Sequence, residues 1–273
     1  MERIGEHPVN AGPLAVRWLA YELEPPRAGA AGTARVALEN AGSATWRSRG
    51  RTGVRLAYHW LDPLRNPIVW DGTRTSLPRT VSPGETIELD VPLVAPRPPG
   101  GYLLSFDLVE EYRFWFGEVG SATLDVPVEV SPRIAERRLK AVISGVPDAE
   151  TTAALEAQEE PLVERDEVAR AYLAPGALPA PEWSRLLLDA HAEGWAAVGG
   201  AVMPISRRDR GEFAPWAPGG RNPRFDRPLL FPSLLDGLEP AKSAGLPAYE
   251  GAETLFEGRA VVRLRPRSGR PPA

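Results

Sequence analysis

The chain has 273 residues, 43% of them hydrophobic and 25% charged, and a net charge of −4. That length accommodates two domains and burial of roughly three quarters of the surface an unfolded chain exposes. So weak a negative charge supplies no field for nucleic acid or an anionic membrane, and neither is expected as a partner. The absence of cysteine excludes disulfides, thiolate metal sites and cysteine nucleophiles. His7, His59 and His191 are the only histidines and lie far apart, which argues against a histidine-rich metal site. Lys140 and Lys242 are the only lysines. The arginine-, alanine- and proline-rich usage reads as coding bias rather than selection for phosphate. No apolar run approaches about 18 residues, so no transmembrane helix is expected. The first fourteen residues lack the apolar core of a signal peptide, and a cytoplasmic location is the expectation.

Residues 13–130 read as a run of short strands. Segments 14–23, 33–39, 54–61, 67–70, 85–93, 102–109, 114–118 and 123–130 are rich in β-branched and aromatic residues and bounded by Gly, Pro or Asn. Val54, Leu56, Tyr58 and Trp60 alternate with Arg55, Ala57 and His59, placing the second set on a wet face. Val36 and Leu38, and Ile87, Leu89, Val91 and Leu93, alternate likewise. One buried and one wet face per strand predicts an antiparallel β-sandwich, and seven or eight such strands suit an immunoglobulin-like fold. The turns agree: Asn40-Ala41-Gly42 and Ser82-Pro83-Gly84 are turn formers, and 96–101 (PRPPGG) is a stiff connection.

The pattern changes after Val130. Segment 131–138 (SPRIAERR) reads as a linker and 139–145 as a short buried strand. Asp148 is a good N-cap for a helix over 149–160, with Glu150 complementing the helix dipole. A second helix is expected over 181–191. Pro181 suits its first turn, Trp183, Leu186, Leu187 and Ala190 form its apolar stripe, and Gly194 ends it. A strand over 196–202 follows. Strand–helix–strand order predicts a smaller α/β domain over 139–264. Within it, prolines interrupt every run of 205–251, which reads as irregular. A last strand or hairpin is expected over 254–264, and 265–273 reads as a disordered basic tail.

Five of the eight tryptophans lie in the first half. Trp18, Trp46 and Trp60 are expected in the core. Trp70 and Trp115 are candidates for a ligand or partner surface, because each sits among polar groups: Asp71 and Arg74 beside the first, Arg113 beside the second. Sugars lay their apolar C–H faces on aromatic rings while acids and arginines take the hydroxyls.

The pattern Val36-x-Leu38-x-Asn40-x-Gly42-x-x-x-Trp46, with VRLAYHW at 54–60 and later PGE and PGGY, resembles a group of immunoglobulin-like modules. These carry an Asn-x-Gly…Trp signature and occur in four-tryptophan domains and in sandwiches appended to bacterial glycosyltransferases. The resemblance implies an accessory binding or interaction role and no catalysis.

Residues 172–204 are similar to the core of GT-A glycosyltransferases, a Rossmann-like fold. That family carries a strand ending in Asp-x-Asp, whose acids hold the divalent metal that neutralises the departing nucleotide diphosphate. Here Ala174 and Ala177 stand where the carboxylates would, and neither binds a metal. Only about thirty residues separate the first strand of this half from that turn, and no Glu-Asp pair stands as a general base downstream. Glu182 is read as dipole compensation, Asp189 and Glu193 as solvated, and His191 as a surface or helix-end residue. The resemblance implies a degenerate, truncated domain without metal or cofactor. Gly219-Gly220-Arg221, after Trp216, is a candidate anion site, since such a turn presents backbone N–H groups and a guanidinium. No P-loop, dinucleotide fingerprint or nucleophile elbow occurs.

The expectation that follows is a non-catalytic accessory protein of glycan or polysaccharide assembly, with a glycan or an assembly protein as partner. The alternatives are a metal-independent glycosyltransferase in which Arg221 holds the diphosphate, and a purely structural interaction module.

Overall fold

The structure, a computed structural model, describes residues 1–4, 12–143, 145–174, 176–205, 221–222, 227–228, 231–238 and 254–264. It is a β-rich, two-unit chain that divides between Ser131 and Pro132.

The first unit contains β1 (Glu2–Arg3), β2 (Val16–Leu23), β3 (Ala31–Asn40), β4 (Val54–Leu61), β5 (Pro67–Val69), β6 (Thr75–Ser76), β7 (Thr86–Val94), β8 (Gly100–Glu110), β9 (Phe114–Trp115) and β10 (Leu124–Val130). One sheet has the order β1-β2-β3-β7 and the other β10-β8-β4-β5, with β6 on β4 and β9 on β8. Every pairing between these named strands is antiparallel. The expected alternation builds a shared core. Val36 and Leu38 of β3 and the odd-numbered residues Ile87 to Leu93 of β7 pack with Leu56, Trp60, Leu104, Phe106 and Leu108 of the facing sheet. Trp18, Trp46 and Trp60 are buried, as the pattern required. Trp18 and Trp60 hand their indole N–H groups to the carbonyls of Ala122 and Val94, so these two rings are buried without an orphaned donor, whereas Trp46 Nε1 has no hydrogen-bond partner among the described residues.

The Asn-x-Gly…Trp signature has a physical basis. Asn40 is fully buried at the end of β3, where its amide donates to the carbonyls of Ala44 and Val81 and its oxygen accepts from Gly42 N–H. A Cβ on Gly42 would lie 2.3 Å from the Pro13 carbonyl oxygen, so any larger residue would push the turn away. Trp46 then meets Phe116 edge to face at 5.9 Å.

The second unit has one six-stranded mixed sheet. Its strands are β11 (Leu139–Ile143), β12 (Ala169–Leu173), β13 (Ala177–Pro179), β14 (Ala197–Pro204), β17 (Pro232–Leu235) and β18 (Thr254–Leu264), in the order β11-β12-β17-β14-β18-β13. A separate two-stranded ribbon joins β15 (Arg221–Asn222) to β16 (Arg227–Pro228). The helices are α1 (Ala149–Glu156) and α2 (Trp183–Ala192). Asp148 caps α1 by accepting from Thr151 N–H at 2.7 Å. That helix stops four residues short of its expected end. Gln158 instead folds back to bond Ala154 O, Ala180 O and Ser184 N, tying the chain to α2.

The apolar stripe of α2 is buried, but so are Ser184, Leu188 and His191. His191 is therefore not the surface residue expected. It is fully enclosed, with Nδ1 on Trp195 O and Nε2 on Ser233 Oγ, each at 2.8 Å. The expectation of irregular structure throughout 205–251 also fails at β17, which lies between β12 and β14. Pro232 opens that strand, a position where its missing N–H costs no central ladder bond. Arg133, in the expected linker, donates to the carbonyls of Ala192 and Gly194 at the end of α2. Asp189 is shared between Arg137 and Arg185. No described helix is long and apolar enough to cross a membrane.

Candidate functional site

The site lies on the outer face of the β10-β8-β4-β5 sheet. Register brings its floor together. His59 of β4 stands opposite Ser105 of β8, which stands opposite Asp125 of β10; Asp107 is two residues along from Ser105. Residues directly opposite point to the same face, so these four polar side chains form a patch across three strands. A wet face was expected here. Instead His59, Ser105 and Asp107 are buried; the Gly117 turn lies against Asp107, and aromatic rings cover His59.

Trp70 and Trp115 make that cover. The Trp70 ring stacks on the His59 ring at 4.1 Å and 20°, and Trp115 meets His59 edge-on at 4.4 Å. Trp70 and Trp115 are 6.1 Å apart, centroid to centroid. Gly72 allows this arrangement. Its N–H donates to Tyr58 O of β4 at 3.0 Å, and a Cβ there would lie 2.5 Å from that oxygen. The loop after β5 thus lies directly on β4 and carries Trp70 onto His59. One face of Trp70 is covered by the imidazole, and the residue stays 48% exposed.

Beside these rings opens a cavity of about 330 Å³, lined by Arg65, Glu118 and Thr123 in addition to the two tryptophans and His59, Ser105 and Asp107 of the floor. Trp70 and Trp115, two of the five residues singled out in the sequence, line it. Asp71 and Arg74 are ion-paired at 2.5 Å, and Arg74 also reaches Glu111 at 3.2 Å. The Arg74 guanidinium sits 4.6 Å over the Trp115 ring, so this pair braces the aromatic wall. Arg113 takes no part in the lining; it pairs with Glu110 at 2.5 Å and lies over Phe114.

The floor is electrostatically uneven. Burial pushes the Asp107 carboxyl up to about 7, with Glu118 and Asp125 adding to the rise, while N–H bonds from Gly117 and Leu108 oppose it. Burial would raise Asp125 too. There, hydrogen bonds from Ser105 (2.5 Å), Arg65 (2.7 Å) and Thr123, with the charge of Arg65, outweigh it and hold the carboxyl below its ordinary range. His59 is lowered, chiefly by burial and also by Arg74, against its bond to Trp70. Its Nδ1 contacts the Trp70 carbonyl, which only accepts, so Nδ1 carries the proton and Nε2 is a bare acceptor. That Nε2 is buried and has no hydrogen-bond partner among the described residues. One neutral imidazole, one carboxyl neutral up to about pH 7, and one firmly ionised carboxylate offer donors and acceptors suited to hydroxyl groups.

Sequence reasoning missed His59, Ser105, Asp107, Asp125 and Arg65. The available signal was Ser105-x-Asp107 within the apolar run of β8, on the face away from Leu104 and Phe106. Of the candidate anion site, Gly219 and Gly220 lie outside the described residues, as do Trp216 and the tail, and Arg221 is described only as backbone in β15. In the second unit, Ala174 and Ala177 are buried apolar residues, Ala177 as the first residue of β13. Among the described residues no group of three or more His, Asp or Glu side chains is placed to hold a metal ion.

Neither a protein-family model nor a curated protein sequence matches the chain.

Proposed function

We propose that the chain is a non-catalytic accessory protein of glycan assembly whose first unit binds carbohydrate on the outer face of its β10-β8-β4-β5 sheet. The observation that carries this reading is the juxtaposition of the half-exposed Trp70 ring and Trp115 with a polar floor in one cavity. A pyranose has an apolar face that stacks on an indole and a rim of hydroxyls that needs paired donors and acceptors. Burial of about 100 Å² of such a face on an aromatic ring contributes about 2–3 kcal/mol, and the hydroxyl contacts supply specificity. An immunoglobulin-like identity for this unit is supported by its two antiparallel sheets and by the buried Asn40–Gly42–Trp46 corner. A retained but inactive glycosyltransferase-like second unit is supported by the buried alanines at 174 and 177.

The test is a glycan array probed with the full chain and with Trp70→Ala and Trp115→Ala. Binding by the parent that falls at least tenfold in both variants supports the reading. A parent chain that binds no glycan, or variants that bind as well as the parent, overturns it.

A further inference from the structure

The cavity floor contains a feature that aromatic stacking alone does not use. His59 is 3% exposed and presents a bare Nε2 acceptor with no partner among the described residues. A buried acceptor left without a donor is destabilising, a cost proteins seldom carry without a use for the group. Asp107, also 3% exposed, lines the same cavity from the next strand. Its Oδ1 accepts from Leu108 and Gly117 N–H, while Oδ2 accepts only from Gly117, leaving the second oxygen the freer of the two.

Register sets the spacing of the two groups. His59 pairs with Ser105, so Asp107 is its diagonal neighbour on the same face. Diagonal pairs lie roughly 7–8 Å apart at the backbone, no direct bond joins these two side chains because His59 Nε2 has no partner among the described residues, and both border the same cavity. Ser105 does not fill the gap, because its hydroxyl is committed to Asp125 at 2.5 Å.

We propose that a hydroxyl group of the bound ligand enters between His59 and Asp107, donating its proton to His59 Nε2 and accepting one from the Asp107 carboxyl. This rests on the carbohydrate reading above and narrows it to a ligand with a free hydroxyl projecting beyond the ring stacked on Trp70. A hydroxyl suits the gap because it donates and accepts at once, whereas an ammonium ion only donates and a carboxylate only accepts. Reaching Nε2 requires a tilt of the half-exposed Trp70 ring, which forms the outer part of the cover.

The arrangement makes recognition depend on pH. The charged or titratable groups facing Asp107 are His59 on β4, Asp125 on β10, Arg65 in the turn between β4 and β5, and Glu118 in the turn after β9. With its carboxyl raised to about 7, Asp107 donates at pH 6 and has lost that proton at pH 8.5. Two acceptors then face a hydroxyl that has a single proton, and one hydrogen bond is lost.

The experiment is ligand-observed NMR titration of the full chain with the methyl glycosides of glucose, galactose, mannose and N-acetylglucosamine at pH 6 and pH 8.5. Affinity for at least one glycoside is expected to be about tenfold higher at pH 6, the worth of one hydrogen bond of about 1.4 kcal/mol. Asp107→Asn keeps an N–H donor at both pH values and is expected to abolish the difference while retaining binding. His59→Phe keeps the stack on Trp70 but removes the acceptor, and is expected to weaken binding about tenfold at pH 6; should that variant not fold, the Asp107→Asn comparison still decides. Parent and Asp107→Asn chains with the same pH dependence, or a folded His59→Phe chain that binds like the parent, overturns the inference while leaving the carbohydrate reading intact. Absence of binding by the parent at both pH values, or a Trp70→Ala chain that binds unchanged, overturns the carbohydrate reading and the inference with it.

Discussion

Replacing Asp107 by Asn isolates the cost of an ionised carboxylate buried in the cavity lining. In the unfolded chain the carboxyl titrates near its ordinary value of 3.8; in the folded chain burial moves it to about 7. Between those values the native state binds more protons than the unfolded state, so stability is full below about pH 4 and is lost as pH rises to about 7. At about 1.36 kcal/mol per pH unit, the separation corresponds to about 4 kcal/mol. Local relaxation and water entry on ionisation reduce the measurable part to about 2–3 kcal/mol. Asparagine keeps the acceptor for Leu108 and Gly117 N–H and never ionises. Asp107→Asn is therefore expected to stabilise the first unit by about 2–3 kcal/mol at pH 8 and to change it little at pH 4. In a unit of this size that is a rise of about 8–15 °C in Tm at pH 8. Thermal melts followed by tryptophan fluorescence report the transition, since five of the eight tryptophans belong to this unit. An equal effect at the two pH values, or destabilisation at pH 8, would refute the assignment of a buried, burial-raised carboxyl.

The second unit carries the opposite dependence. His191 is fully buried and its imidazole is lowered from 6.5 to about 4, chiefly by burial. Its contribution is present above pH 6.5 and is lost as pH falls towards 4, because the unfolded chain takes up the proton first. A His191→Leu chain should melt lower at pH 8, with the loss of two buried hydrogen bonds costing about 2–4 kcal/mol, and should lose less stability between pH 6.5 and pH 4.5 than the parent. Gly72→Val places carbon within 2.5 Å of Tyr58 O, so the loop must lift; about 1–3 kcal/mol of stability and the Trp70–His59 stack should be lost, seen as a red shift in tryptophan emission and weakened glycan binding. Asn40→Ala strips the carbonyls of Ala44 and Val81 of a buried donor and should lower the urea midpoint of the first unit by the equivalent of about 2–3 kcal/mol, with glycan contacts untouched.

The strands of the first unit could be read locally because its core is one-sided. When every second residue faces the same apolar layer, period-2 alternation is imposed on the sequence itself. Val54 to Trp60 and Ile87 to Leu93 carry that signal, and both runs are strands with those residues inward. The ends of α2 were legible for the same kind of reason, since Pro181 and Gly194 act within one turn of chain. The cavity was only half legible. Trp70 and Trp115 were recognisable as large rings among polar neighbours, but their partners were not. His59 and Ser105 are 46 positions apart in sequence, and nothing local marks either as covered. The same limit explains His191, whose burial depends on β17 arriving from 42 residues away with Ser233. It also explains β17, a four-residue segment opened by proline that is a strand only because β12 and β14 flank it.

By itself the sequence determined the two-part organisation, the inward set of apolar residues in the sandwich, and the Asn40–Gly42–Trp46 corner, because alternation, turn chemistry and capping act over a few residues of chain. The tertiary structure alone decided that the outer face of the β10-β8-β4-β5 sheet is covered rather than wet, and that His59, Ser105, Asp107 and Asp125 meet there. Strand register and the close approach of Gly72 to β4 create that environment. Burial there, of His59 under two indoles and of Asp107 against the Gly117 turn, then converts an ordinary histidine and an ordinary aspartate into a bare acceptor and a carboxyl that holds its proton to about pH 7.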